Sequence, residues 1–390
     1  MNYVTTSHQA HSDVIPPRIL EILFNKAGVT INGKEPWDIQ VTDSRVYNSI
    51  LRKWSLGLGE SYMDHYWDCR SVDELICRLL NANLDDQVKG FARVNVAWRI
   101  LKARLFNLQS VNRAFQVAEK HYDLSNLLFE KMLDPLMMYS CGFWQFATTL
   151  EQAQLDKLEM ICQKLELKSG ETLLEIGCGW GGLAYYAAKH YGINVVGITI
   201  SKEQKKLAEE RCRGLPVTIE LMDYRKLTGQ FDKIVSVGMF EHVGPKNYHE
   251  FFSLTQRLLS DSGIFLLHTI GNAQSGQGTD PWINRYIFPN GKIPTALEIV
   301  QHIQNKFLIE DWHNFGQDYD KTLMAWYSKF NEHWSEIKLN YDECFYRMWN
   351  YYLLSCAGYF RSRYGQLWQL VLTKRSRSQV YRSVRLQYNT

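Results

Sequence analysis

The chain is 390 residues long, 22% charged and 45% hydrophobic, with a net charge of +3 at neutral pH. That balance fits a folded protein of roughly two to three domains and excludes low-complexity, collagen-like and strongly basic nucleic-acid-binding chains. The outlying figure is the 13% aromatic content (12 Trp, 22 Tyr and 18 Phe), which suits either a large apolar cavity or a full core.

No run approaches the roughly 18 apolar residues that span a bilayer. The start, MNYVTTSHQAHSDVIPPR, lacks the basic head and apolar stretch of a signal peptide. The 8 Cys are sparse and form no CxxC pair, so free thiols in a reducing cytoplasm are expected rather than disulfides or structural zinc. The His residues form no HxxxH pair, so no metal site is expected.

In chain order, Pro16-Pro17 opens RILEILFNKAG, which puts Ile19, Ile22 and Leu23 on one helical face and stops at Gly28. Asn32-Gly33 reads as a tight turn. Helical periodicity returns over 46–54 and 72–80. Between them, SLGLGESYMDHYWDC (55–69) is too rich in glycine and aromatics to read as a regular amphipathic helix. Residues 88–117 carry Lys89, Arg93, Arg99, Lys102, Arg104 and Arg113 with no acid, interleaved with Phe91, Trp98, Leu101 and Leu105. Such a basic helix suits an anionic membrane surface, or an interdomain position with its basic face solvated.

From residue 171 strands and helices alternate. ETLLEIG, INVVGITI, PVTIEL, FDKIVSVGMF and IFLLHTIG read as strands; GLAYYAAKHYG, SKEQKKLAEERCRG and KNYHEFFSLTQRLLSDSG read as the helices between them. This repetition predicts an α/β, Rossmann-like domain with a parallel sheet covered on both faces, after a smaller and mainly helical N-terminal domain. The expected division is 1–88, a basic linker helix at 89–117, and a catalytic domain at 118–390. Residues 319–362 read as helix, GQLWQLVLTK as a last strand, and the tail beyond Thr373 as basic.

The chemistry starts at LLEIGCGWGG, where Glu175, Gly177, Gly179 and Gly181 lie between strand and helix. Glycines there let a ligand approach the backbone. The spacing Gly177, Gly179, Gly182 also satisfies the dinucleotide fingerprint, but the second strand ends in Thr199 where an NAD site shows an acid. The acid two positions before the first glycine favours S-adenosylmethionine. A glycine turn that merely packs helix on sheet is the plainer alternative.

These residues, with SLGLGESYMD, MYSCGFW, VGITIS, SVGMFEHVGPKNY, DPWINRYIFPNG, EDWHNFGQDYDKTLMAW and SCAGYFR, carry a resemblance. The sequence resembles the bacterial cyclopropane-fatty-acyl-phospholipid synthases, relatives of the mycolic acid cyclopropane synthases. The matches span nearly the whole chain, including the N-terminal region that the mycolic acid enzymes lack. The resemblance implies a class I S-adenosylmethionine methyltransferase fold. It implies cofactor contacts from Tyr139, Ser140, Glu175, Gly177, Gly179, Thr199, Ile200, Gln204, Asp223 and Tyr224. It also implies a bicarbonate ion held by Cys141, Glu241, His268, Tyr319 and the backbone of Ile270, with Cys356 as a further active-site residue. The implied reaction converts a cis double bond of a phospholipid acyl chain into a cyclopropane ring. Bicarbonate takes the proton, and Glu241 both accepts its hydroxyl hydrogen bond and holds His268 in one tautomer. A peripheral homodimer at the inner face of the cell membrane is implied as well, its contacts expected in 88–117, the basic tail and exposed aromatics.

Each residue also has an ordinary reading: Cys141 as a buried thiol, His268 as a core histidine, Glu241 as an acid at a helix start, Tyr319 as a packing residue. Cys356 sits in an apolar late helix, where this chemistry needs no thiolate. Two other functions share the scaffold. A methyltransferase for a small nucleophile would need no bicarbonate constellation, and a non-catalytic lipid binder would bind without turnover.

Overall fold

The computed structural model describes residues 15–82, 126–273 and 279–385. The basic stretch 88–117 and both expected domain boundaries lie outside the described residues.

The N-terminal part is helical, with α1 (Arg18–Lys26), α2 (Arg45–Lys53), α3 (Ser55–Met63) and α4 (Val72–Asn81). A short ribbon, β1 (Gln40–Val41) with β2 (Trp67–Asp68), pins the segment between α1 and α4. The stretch SLGLGESYM is a helix, against the expectation from its composition. Its glycines are spacers: a Cβ on Gly57 would strike the backbone of Ser49 in α2, and one on Gly59 would strike the Trp282 indole. The helix forms because close packing outweighs the poor helix propensity of glycine.

The larger part begins with α5 (Asn126–Met132) and α6 (Leu150–Lys164). The alternating units follow: β3 (Thr172–Ile176), α7 (Gly182–Tyr191), β4 (Asn194–Thr199), α8 (Lys202–Arg211), β5 (Val217–Leu221), β6 (Phe231–Val237), α9 (Tyr248–Leu258) and β7 (Leu259–Asn272). Next come α10 (Pro281–Tyr286), α11 (Ala296–Ile303), β8 (Leu308–Asn314), α12 (Asp318–Glu332), α13 (Trp334–Ile337), α14 (Glu343–Arg361) and β9 (Gly365–Thr373).

The seven strands run in the order β5-β4-β3-β6-β7-β9-β8. The first five are parallel, and β9 inserts antiparallel between β7 and β8. Strand β8 is not legible as a strand, because Glu310, Asp311 and His313 interrupt its apolar pattern. Leu173, Leu174 and Ile176 of the central strand β3 are buried on both faces of the sheet, because helices cover both. Each fully buried Leu or Ile there contributes roughly 1.5–3 kcal/mol. One apolar cluster (Leu174, Ile234, Phe265, Leu370) covers one face, and another (Leu173, Val235, Leu266, Val371) the other.

The N-terminal helices do not form a detached module. Leu20, Val46, Trp67 and Leu75 share one core cluster with Trp326, Trp349, Leu353 and Phe360 from α12 and α14. Arg347 of α14 donates through Nε to the Tyr62 carbonyl at 2.5 Å and through a terminal nitrogen to the Trp67 carbonyl at 2.9 Å. Arg361 reaches Asp73 at 2.6 Å, Glu74 at 3.6 Å and Asp320 at 2.9 Å, tying α4 to α12. The basic tail is partly committed to the fold. Arg377 pairs with Glu166, Lys374 with Asp261 and Arg385 with Asp311, while Arg375 and Arg382 stay exposed. Among the described residues no helix is long and apolar enough to cross a membrane.

Candidate active site

The carboxyl ends of β3, β4, β5 and β6 open into a cavity of about 190 Å³. A switch point of an open sheet is where ligands dock. The turn after β3 carries Gly177, Gly179 and Gly181 at φ of 86°, 52° and 77°, a left-handed path that glycine takes without strain. A Cβ on Gly177 would come within 2.9 Å of Met239, so the glycine also keeps the loop clear.

All ten residues expected at the cofactor line this cavity. Thr199 donates its hydroxyl to Gln204 Oε1 at 2.8 Å, which locks the end of β4 to the start of α8. Asp223 accepts from the Arg225 guanidinium at 2.7 Å through each carboxylate oxygen, and Tyr224 buries its hydroxyl without a protein partner. Ser140 accepts from Lys157 Nζ at 2.9 Å. Burial drives both Lys157 and Glu175 toward their neutral forms against their mutual attraction, and one Glu175 oxygen is unpartnered. The cavity wall also includes Trp180, Met239, His242 and Asn290, which the sequence reading did not single out. Each lies inside a quoted motif, so a signal existed. Burial depresses His242 to about 4, so it lines the cavity as neutral imidazole.

The second group of residues is not part of the lining of this cavity. Glu241 sits in a short 3-10 turn, Phe240–His242, beyond the end of β6. Its Oε1 accepts from the Ile270 N–H at 2.7 Å, while its Oε2 is buried without a partner. The Ile270 N–H, part of the backbone that the resemblance implies at bicarbonate, is thus engaged by Glu241. Burial raises the Glu241 carboxyl to about 7. His268 lies within β7 and is 1% exposed. Its Nδ1 faces the Gln369 amide nitrogen at 3.2 Å and its Nε2 is buried without a partner. The group at Nδ1 is thus Gln369, whereas Glu241 was expected to hold the ring in one tautomer. Burial and the positive charges of Lys157 and Lys164 hold the imidazole well below its usual range, hence neutral.

Cys141, Ile270 and Tyr319 meet in one small apolar cluster with Phe143, Phe315 and Leu367. Burial pushes the Cys141 thiol and the Tyr319 phenol up, so both are protonated. Thr322 of α12 accepts from the Gly142 N–H at 3.0 Å and from Trp144 Nε1 at 2.8 Å, docking the 139–144 segment onto the helix that begins beside Tyr319. Tyr319 stacks on Phe360 at 4.5 Å, and Tyr139 shares a 2.7 Å hydrogen bond with Tyr352. Cys356 packs in α14 against the large aromatic cluster, and burial lifts its thiol to about 12. No thiolate forms there at neutral pH. Among the described residues no group of His, Cys, Asp and Glu could hold a metal ion.

Comparison with known proteins agrees with this fold. Residues 109–370 match the family described as mycolic acid cyclopropane synthetase. The cyclopropane-fatty-acyl-phospholipid synthase of Escherichia coli K12 is 55% identical over 357 residues, covering 92% of this chain and 93% of that protein. Cyclopropane mycolic acid synthase MmaA2 of Mycobacterium tuberculosis is 35% identical over 67% of this chain and 97% of its own. In structure, the mycolic acid cyclopropane synthase CmaA1, solved with SAH and CTAB, superposes with a TM-score of 0.63 at 32% identity, covering 67% of this chain and 98% of that one. Coclaurine N-methyltransferase, at 20% identity and a TM-score of 0.67 over 81% of this chain and 99% of that one, shares the fold. With its glycine turn, its parallel sheet and 55% identity over 357 residues to the Escherichia coli protein, the chain belongs to the mycolic acid cyclopropane synthetase family of S-adenosylmethionine-dependent methyltransferases.

Proposed function

We propose that this enzyme adds a methylene to the cis double bond of an unsaturated phospholipid acyl chain, closing a cyclopropane ring, with bicarbonate as proton acceptor. The carrying observation is a pair of buried, unpartnered polar atoms, Glu241 Oε2 and His268 Nε2, on groups anchored to the same stretch of β7. Buried polar atoms usually find a partner, and we read these two, among the others so placed, as reserved for a ligand. An acceptor carboxylate and an imidazole nitrogen fit the hydroxyl and oxygens of a bicarbonate ion. The glycine turn and the ten cavity residues fit S-adenosylmethionine, which supplies an electrophilic methyl carbon when bound.

The chain's own residues then do three things. The linked rings of Tyr139, Trp326, Tyr319 and Phe360, of which Tyr139 lines the cavity, would keep water from a developing cation and offer it a π-face. The protonated Cys141 and Tyr319 are donors of suitable type for an anion, although Cys141 already contacts Thr322 and the Gly142 carbonyl. Glu241, fixed by the Ile270 N–H, is the group that would orient the acceptor. Cys356 has a packing role.

The double bond lies deep in a bilayer, so the acyl chain must be drawn out of it by a peripheral enzyme. Ile15, Ile19 and Ile22 stand exposed at and before α1 beside Arg18 and Lys26, a combination suited to an anionic lipid surface.

The test uses purified protein, S-adenosylmethionine and vesicles of a cis-monounsaturated phospholipid. The expected result is a gain of one CH2 in acyl mass, loss of the olefinic proton signal and new high-field ring protons, all dependent on bicarbonate. Unchanged lipid with cofactor bound would overturn the reading and favour a small-molecule methyltransferase or a lipid binder.

A further inference from the structure

Three neighbouring strands place polar residues on one row. His268 of β7 pairs in register with Gln369 of β9, and Gln369 pairs on its other side with His313 of β8. Lys164, the last residue of α6, is 0% exposed and drops its ammonium into this row. Its Nζ lies 2.8 Å from Gln369 Oε1, 3.1 Å from His313 Nδ1 and 3.5 Å from Asp311 Oδ2. Asp311 is held in turn by Arg385 at 2.6 Å.

Burial lowers Lys164 to about 7 against the attraction of Asp311, and for its ammonium form the donor count leaves one solution. An ammonium has three N–H donors and no acceptor, and three acceptors surround it. Gln369 Oε1 must therefore accept. Its amide nitrogen, which only donates, then faces His268 Nδ1 at 3.2 Å. That nitrogen must carry the lone pair, so the single proton of the neutral ring sits on Nε2. This is the nitrogen buried without a protein partner.

We propose that Gln369, oriented by Lys164, is a positioning residue that fixes His268 as the Nε2–H tautomer and so presents a hydrogen-bond donor to an anionic oxygen in the active site. The identity of that anion rests on the bicarbonate reading above; the tautomer does not. The network is paired at each link: Arg385 and Lys164 on Asp311, Gln369 on Lys164, His268 on Gln369. A Glu at position 369 would present an acceptor where the amide presents a donor. It would draw the ring proton to Nδ1 and turn Nε2 into an acceptor that repels an anion.

The experiment is long-range 1H–15N NMR of the full-length, histidine-labelled protein, with His268 assigned by its loss in His268→Asn. The wild type is expected to show protonated Nε2 and bare Nδ1. Gln369→Glu is expected to reverse that pattern. Its half-saturating bicarbonate concentration should rise at least about tenfold, a loss of about 1.4 kcal/mol, with the KM for S-adenosylmethionine unchanged. Lys164→Met, in which Asp311 keeps Arg385 and Gln369 is free to flip, is a second variant should the first not fold, and should give mixed tautomers. Protonated Nδ1 in the wild type, or an unchanged tautomer in a folded Gln369→Glu, would overturn the proposal. The expected tautomers with turnover indifferent to bicarbonate would uphold the positioning role and defeat the bicarbonate reading.

Discussion

Glu241 shows how burial sets the cost of a functional carboxylate. Its folded pKa of about 7 lies above the ordinary 4.5, so the fold favours the protonated form. The penalty is absent below 4.5, grows as pH rises through the window to 7, and is complete above it. A shift of that size corresponds to roughly 3 kcal/mol at full ionisation. Glu241→Gln keeps an oxygen for the Ile270 N–H and never ionises. Its thermal stability relative to wild type should therefore climb between pH 5 and pH 8, read by paired melting curves. Its turnover on unsaturated vesicles should fall about 10–100-fold, the usual worth of a charge-assisted hydrogen bond. A variant with full turnover, or with a pH-independent stability difference, would contradict this account.

At the scale of elements, α3 decides between propensity and packing. Gly57→Ala would gain about 0.5–1 kcal/mol of helix propensity on an isolated helix. Here the new methyl meets the Ser49 backbone, which belongs to α2 and cannot swing aside. Overpacking of that kind costs about 1–3 kcal/mol, so net destabilisation is expected, measured as a lower urea midpoint. The same helix marks the limit of reading this chain by pattern. The parallel units from β3 to β7 were legible because buried strands and capped helices carry local signatures, such as Ser201 capping α8. The cofactor cavity was legible because its residues sit in contiguous motifs. Helix α3 was not, since its glycines make sense only against Ser49 and Trp282. Strand β8 was not, since Asp311 and His313 serve a buried network assembled from residues far apart in sequence. The Gln369–His268 contact is 101 positions long and exists only once strand register is set.

For the whole molecule, the shared core predicts joint unfolding. Tryptophans 67, 282, 326 and 349 are fully buried in one cluster that joins the N-terminal helices to α12 and α14. Trp fluorescence and far-UV circular dichroism should trace one coincident urea transition; separated transitions would show that the two parts fold independently. Arg361→Met leaves Asp73, Glu74 and Asp320 facing one another. Because Arg361 is about a third exposed, the loss should be moderate, about 1–2 kcal/mol, with the transition still single. The placement of β9 has a further consequence for biosynthesis. The strand nearest the C-terminal end of the described chain occupies an interior slot, flanked by β7 and β8. While a nascent chain is still short of Gly365, the 14-residue β7 has one bare edge, and its IFLL run is among the most apolar in the protein. Such an edge is a ready partner for another unfinished chain. The imidazole row cannot assemble until that edge is sealed, so the interval before β9 emerges from the ribosome is when this polypeptide is most exposed to aggregation and most dependent on chaperones.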